Sequence, residues 1–376
     1  MSKKFAAVFT AIILITIIFT GCGKVTEPES GTSGNATKSE NGTSGNASKS
    51  EAGFSLTMLD VGEGLCLLFC ADGKYMLYDG GGRETSSYVV SYLKAHGVTE
   101  LDLVVASHYD EDHIGGLIGA LYNTNVNAFW GPDYQAETSI YTSLVNALDS
   151  AGLTCIHPSV GDEFALGGAT VKVVSASADV TLENDRSVAV IVTYGETKVL
   201  VTGDCESAAE SAMVSAGVLE PVDIYVVAHH GAAASSNKAF LAKVKPAYAF
   251  LSCGLGNENM HPSREALLNL SECKAKLFRT DIQGEVTAFS DGSSLWFSTA
   301  DTSDWRNGTQ MTIVDGEGTE NVSEPQDYIL NTNSKRFHYP SCDSVSDMSE
   351  RNKKEVHMSR EEIINMGYES CGRCHP

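Results

Sequence analysis

Four side chains able to bind a metal ion stand within six residues of one another in the segment LDLVVASHYDEDHIGG: His108, Asp110, Asp112 and His113. Imidazole and carboxylate together suit divalent ions, and several such groups in one short stretch are what a site for two ions requires. An apolar run from Leu101 to Ala106 precedes the group, and the pair Gly115-Gly116 follows it. That order predicts a strand ending at the cluster and one loop carrying all four ligands, which converge without using helix or sheet geometry. Two divalent ions about 3.5 to 4 Å apart activate a water, hold a scissile oxygen and stabilise a leaving group, so the chemistry expected of this segment is metal-assisted hydrolysis.

Three other segments share the design of an apolar run ending in a polar side chain. YMLYDGG ends at Asp79, KVLVTGD at Asp204, and DIYVVAHHG at His229 and His230. Together with His108-x-Asp110-x-Asp112-His113 they resemble the metallo-β-lactamase superfamily, whose ligand loop carries His-x-His-x-Asp-His. The variant with Asp110 in the second position is similar to the metallo-β-lactamase domain of the DNA-internalisation competence (ComEC) family. LDVGEG at Leu59 to Gly64, NDRS at Asn184 to Ser187 and NENMHP around His261 fit the same pattern.

The resemblance covers roughly residues 54 to 298. It implies an α/β fold, the four-layer αβ/βα sandwich of that superfamily. It also implies two divalent metal ions held by His108, Asp110, Asp112, His113, Asp204 and the His229-His230 pair, with Asp204 bridging them. His230, which directly precedes Gly231, is favoured over its neighbour. Asp79 is then a group that orients a ligand histidine, with Asn184 also beside the ligands. Catalysis falls to Asp112, Asp204 and His261, the last binding a phosphate or protonating a leaving oxygen. Because Asp110 replaces an imidazole, manganese becomes an alternative to zinc. The superfamily usually has a further histidine between the first loop and the bridging aspartate, but here only His157, in CIHPSV, lies in that interval. Either Asn184 or Asp185 fills that corner, or one ion is held weakly.

The elements that must position these residues read as alternating strands and helices. Strand-like runs occur at FSLTMLD, LCLLF, KYMLYD, LDLVVAS, VKVVSA, VAVIVTY, KVLVTG, DIYVVAH and AYAFLS. Helical stretches are expected at about Thr85 to His96, Glu137 to Ala151, Cys205 to Ala216, Asn237 to Lys243 and Ser263 to Leu270. Such alternation implies sheets covered by helices. The pattern closes near Ser298 after the pair EVTAFS and SLWFS, giving a catalytic domain at 54–298 and a polar linker at 299–326.

The N-terminus has the order of an export signal: MSKK, an apolar stretch from Phe5 to Phe19, then Thr20-Gly21-Cys22. The apolar stretch is shorter than the roughly 20 residues a membrane-spanning helix needs. Residues 1–22 resemble a bacterial lipoprotein signal, which implies cleavage before Cys22 and acylation of its thiol, hence an extracellular protein anchored in the cell membrane by lipid. Plain secretion or an uncleaved anchor are the alternatives. Residues 23–53 carry the near-duplication GTSGNATKSE and GTSGNASKSE, too polar to build a core, and read as a flexible tether. The net charge of −22 argues against a broad nucleic-acid surface, so an anionic substrate must be captured locally by metal.

Ten cysteines do not form an evident disulfide framework. Cys66 and Cys70 are about 13 Å apart on a strand, and Cys155, Cys205, Cys253 and Cys273 read as small buried hydrophobes. In the segment 327–376, His338, Cys342, Cys371 and Cys374 are spaced for one structural zinc. This tail resembles the small zinc domain of the DNA-repair protein Ada. In that family a methyl-accepting cysteine occupies the position of His338, so repair does not carry over. A Cys371–Cys374 disulfide is the alternative. The expected function is an extracellular, membrane-tethered nuclease or phosphodiesterase acting on DNA, with the tail's Lys335, Arg336, Arg351, Lys353, Lys354 and Arg373 available for phosphates. A phosphoesterase acting on envelope phosphocholine or teichoic acid, and a non-catalytic DNA-binding lipoprotein, are the competing readings. No protein partner is evident in the sequence.

Overall fold

The computed structural model describes residues 52–176, 181–310, 326–340, 342–346 and 348–358, together with residues 363, 366 and 368–371. The signal segment, Cys22, most of the first tether, the middle of the second linker, Arg373 and Cys374 lie outside the described residues. Among the described residues no helix is long and apolar enough to cross a membrane.

Two mixed sheets form the body. One has the strand order Leu295–Phe297, Val286–Ser290, Phe54–Met58, Leu67–Ala71, Lys74–Tyr78, Leu103–Val105, Phe129–Trp130, Cys155–Ile156. The other runs Lys276–Arg279, Tyr248–Leu251, Ile224–Val226, Thr197–Val201, Ala189–Tyr194, Ala169–Ser175, Glu163–Leu166. Period-2 alternation explains how they stack. Val190, Val192, Val199 and Val201 enter the shared core with Leu103 and Val105, whereas Ala189, Ile191 and Leu200 face outward into a second apolar layer. Both faces of each sheet are covered, which is why these strands read as unbroken apolar runs.

Helices α1 (Ser86–Ala95), α2 (Glu111–Asn123) and α3 (Ser139–Ala151) cover the first sheet; α4 (Ser207–Ala216), α5 (Lys238–Val244) and α6 (Arg264–Glu272) cover the second. The result is the expected four-layer αβ/βα sandwich. Strands Lys74–Tyr78 and Leu103–Val105 are parallel neighbours, as are Thr197–Val201, Ile224–Val226 and Tyr248–Leu251. Parallel strands deliver their C-terminal ends to one edge, where ligand sites form.

Two sequence expectations are corrected. The ligand cluster is not wholly in a loop: Asp110 is the N-cap of α2, and Asp112 and His113 occupy its first turn. Gly115 and Gly116 suggested a break, but they serve close approach. A Cβ on Gly116 would lie 1.9 Å from the Gly80 carbonyl oxygen, so only glycine lets α2 settle on the loop that follows Asp79.

The second correction concerns the start of the linker at 299. Thr302 N–H donates to Leu277 O at 2.8 Å, and Trp305 packs on the core of the second sheet. The fully buried Arg279 donates to the carbonyls of Asp304 and Arg306 at 3.3 and 2.6 Å, while its other nitrogens pair with Asp281. Gly308 N–H then bonds Pro262 O at 2.8 Å. The polar segment is a strap that closes the domain at about residue 308, its hydrogen bonds made largely by backbone groups that composition does not reveal.

The tail forms its own sheet, ordered Lys353–Met358, Gln326–Asn331, Arg336–His338, Glu369–Ser370, around Tyr328, Leu330, Phe337, Ile363 and Tyr368.

Candidate metal centre

The strand ends set the ligands. Asp79 follows the strand Lys74–Tyr78, His108 follows Leu103–Val105, Asp204 follows Thr197–Val201, and His229 and His230 follow Ile224–Val226. His108, His113, Asp204 and His230 are buried, whereas the side chains of Asp110 and Asp112 keep 47 % and 39 % exposure. The site therefore opens on the Asp110–Asp112 side.

Hydrogen bonds fix which ring nitrogen faces inward. His113 Nδ1–H donates to Asp79 Oδ2 at 2.8 Å, and His230 Nδ1–H donates to Ser252 O at 3.1 Å. Ser107 Oγ–H donates to Asp79 Oδ2 at 2.7 Å, so at 3.0 Å it accepts from His108 Nδ1–H. All three Nε2 atoms are thereby left with lone pairs. Two of them, on His113 and His230, face each other at 3.3 Å. Asp204 Oδ1 lies 3.3 Å from His113 Nε2, and Asp112 Oδ2 lies 3.3 Å from His230 Nε2. His108 Nε2 is buried with no hydrogen-bond partner, 3.4 Å from Asp110 Oδ2. Converging lone pairs and carboxylates repel unless a cation lies among them, so the donor set fits divalent metal.

The electrostatics agree. Burial pulls His113 down, yet Asp204, Asp112 and Asp79 together outweigh it and hold the ring well above its ordinary value. Burial raises Asp204 and Asp112, but the surrounding imidazoles, His113 foremost, keep both carboxyls below the usual range. In the absence of an ion, a proton takes the cation's place.

Of the remaining sequence candidates, His261 comes to the mouth of the site, its ring centroid 5.4 Å from that of His229 and 6.4 Å from that of His230. Burial, then His229 and His230, lower its pKa to about 4. His229 Nε2 is 3.7 Å from Asp204 Oδ2. Asn184 and Asp185 do not present donors to the cluster. Asn184 Nδ2 donates to Glu206 Oε1 at 3.0 Å, and Asp185 Oδ1 accepts the N–H groups of Glu206 and Ala209 at the start of α4. His157 Nδ1 is engaged with Gly131 O at 3.0 Å.

Sequence reading passed over Ser107, Ser252, Glu63 and Glu206. Glu63 Oε1 is 3.5 Å from His261 Nδ1, and Glu206 Oε1 is 3.4 Å from His229 Nδ1. Glu206 stands two residues after Asp204, past a turn closed by Cys205 N–H donating to Thr202 O at 3.2 Å, and that turn rather than a regular period brings it to His229. Glu63 carried no local signal, because its partner is 198 positions away.

In the tail, His338, Cys342 and Cys371 bring their ligand atoms within 4.8 Å of one another, all three residues buried, and form a second group able to hold a metal. His338 Nδ1 has no hydrogen-bond partner, and burial, with Arg336 adding to it, lowers the ring's pKa and favours the neutral form that binds metal.

Recombination protein 2 of Haemophilus influenzae is 30% identical over 234 residues, covering 61% of this chain and 28% of that protein. Competence protein ComA of Neisseria gonorrhoeae is 28% identical over 237 residues, covering 62% and 32% respectively. The chain thus spans about a third of the length of these curated relatives. Among solved structures, the metallo-beta-lactamase fold protein YhfI from Bacillus subtilis aligns with TM-score 0.42 at 14% identity, over 65% of this chain and 100% of that one. The family described as the metallo-beta-lactamase superfamily matches residues 59–254, more than half of the chain. Since that match includes Asp79, the ligand loop from His108 to His113, Asp204 and the His229–His230 pair, the chain belongs to the metallo-β-lactamase superfamily.

Proposed function

We propose that this chain is a metal-dependent phosphodiesterase acting on DNA, exported and held at the membrane surface through Cys22. The observation that carries the reading is the convergence of two ligand groups that share His113. These are His108–His113–Asp204 and Asp112–His113–His230, each with its donor atoms within 4.8 Å. Two divalent ions bound there supply the charge neutralisation and Lewis acidity that phosphodiester cleavage needs and that a chain of net charge −22 does not otherwise offer. The protein's part is to hold those donors rigidly through Asp79, Ser107 and the Ser252 carbonyl. His261 is neutral near pH 7 and offers a substrate oxygen an N–H from the mouth of the site. The competence and recombination names of the relatives favour DNA. The export reading rests on residues 1–22, and the tail's Lys335, Arg336, Arg351, Lys353 and Lys354 are suited to phosphate contacts, with zinc in its His338–Cys342–Cys371 group.

The purified chain, stripped and reloaded with zinc or manganese, is to be assayed against DNA and against phosphocholine esters. DNA cleavage restored by metal is the expected result. Choline release without DNA cleavage would move the substrate to an envelope phosphoester, and DNA binding without either turnover would leave a binding lipoprotein.

A further inference from the structure

The motif Asn184-Asp185-Arg186-Ser187 is bound into the site on either side of its arginine. Asn184 donates to Glu206, and Asp185 accepts from the start of α4. Ser187 Oγ accepts the Asp204 N–H at 3.2 Å, and the next residue, Val188, donates its N–H to Ser107 O at 2.8 Å. Those bonds fix the Arg186 backbone beside Asp204. Its guanidinium lies over the ring of Tyr134, 4.9 Å from the centroid. Tyr134 is itself anchored, because its hydroxyl accepts at 3.1 Å from the N–H of Tyr109, the residue between His108 and Asp110. Burial raises the pKa of that hydroxyl, its bond to Tyr109 opposes the rise, and the charges of Glu183, Asp110 and Arg186 all reach it. The pair therefore stands at the rim on the Asp110 side, where the site opens, with both residues half-buried.

We propose that Arg186, held by Tyr134, is a substrate subsite: it takes the phosphate next to the one being cleaved, and so favours a nucleic-acid strand over an isolated phosphodiester. Stacking uses the face of a guanidinium and leaves its N–H groups in the plane, the geometry in which arginine grips phosphate. A ring orders a cation without cancelling its charge. This rim needs such a cation, because Asp110 and the exposed Glu183 share it and repel a phosphate lying beyond the reach of the metal ions. The basic residues singled out for phosphate contacts all lie in the tail, whereas Arg186 puts one cation on the catalytic body, beside the reaction.

The inference deepens the phosphodiesterase reading and rests on it. The test compares the metal-loaded full-length chain on bis(p-nitrophenyl) phosphate, which has a single phosphate, and on short single-stranded DNA. Arg186→Met should raise KM for DNA at least about tenfold more than KM for the small diester, the scale of one hydrogen bond to a charged group. On DNA, kcat should change less than KM. Fluorescence anisotropy of the same DNA, made with cleavage-resistant phosphorothioate linkages, should show binding weakened by a similar factor and a salt slope smaller by about one. Tyr134→Leu removes the platform and keeps the charge, and should move the ratio of the two KM values in the same direction. An equal loss on both substrates in Arg186→Met, or none on either, would overturn the inference alone. A Tyr134→Leu chain with the wild-type ratio would overturn the part given to Tyr134. Should Arg186→Met not fold, Arg186→Gln decides by the same ratio. A wild-type chain that cleaves no DNA would overturn the reading of the chain as a phosphodiesterase acting on DNA, and the inference with it.

Discussion

Asp79 and His113 are joined across 34 positions of sequence by a 2.8 Å hydrogen bond, with both side chains fully buried. The same carboxylate accepts the backbone N–H and the hydroxyl of Ser107, each at 2.7 Å, so one group orients both His113 and, through Ser107, His108. Its backbone is left-handed, with φ of 55°. Asparagine tolerates that conformation, so replacing Asp79 by Asn removes the charge without adding backbone strain.

Asp79→Asn keeps the backbone conformation, but its amide nitrogen cannot accept from Ser107 or His113, so it is expected to fold with a loss of about 1–3 kcal/mol and to bind metal about 10- to 100-fold more weakly. Isothermal titration with zinc or manganese checks this. Unchanged affinity would mean that Asp79 is only a turn residue.

The strap makes a separable prediction. A Cβ at Gly308 would sit 2.1 Å from Met260 O and 2.6 Å from His261 O. Gly308→Ala must push the His261 loop, and displacement on the ångström scale costs up to about a hundredfold in rate. Turnover should fall while metal content stays at the wild-type level. Arg279→Met, by contrast, leaves buried Asp281 unpaired and should destabilise the domain by about 3–5 kcal/mol. If Gly308→Ala turns over at the wild-type rate, the strap has no part in the site.

What the sequence made legible, and what it did not, follows from range. Asp110, Asp112, His113 and Asp204 are readable because an apolar run and the ligand it delivers are neighbours in the chain. The helix beginning at Glu111 is hidden by Gly115 and Gly116, whose reasons are the backbone of Gly82–Arg83 and of Gly80, far back in sequence. Glu63 beside His261 and Arg279 beneath the strap are likewise partners made by folding, and no local pattern marks them.

Glu210 gives a pH dependence that does not involve the metal. It is fully buried in α4, where Ser236 and Asn237 backbone N–H groups donate to it at 2.6 and 3.0 Å. Burial outweighs those donors and raises its carboxyl from 4.5 to about 8. In that window the unfolded chain has released the proton and the folded chain keeps it, so stability is fullest below pH 4.5 and is lost as pH rises through about 8. Wild type should lose melting temperature between pH 5 and 8 relative to Glu210→Gln, which lacks this ionisation. Parallel melting curves across that range would show that the carboxyl is ionised throughout.

The account rests most heavily on Asp204, which lies against His113, His229 and His230 with its carboxylate buried. Its direct test is metal-reloaded turnover of a small phosphodiester by wild type and Asp204→Ala, with metal content measured on the same samples. Wild type should recover activity on reloading. The variant should remain folded, fail to hold two ions tightly and lose at least about a hundredfold in rate, the scale expected when an interaction made in the transition state is removed. An Asp204→Ala protein that retains two tightly bound ions and turns over at a near-native rate would contradict the account.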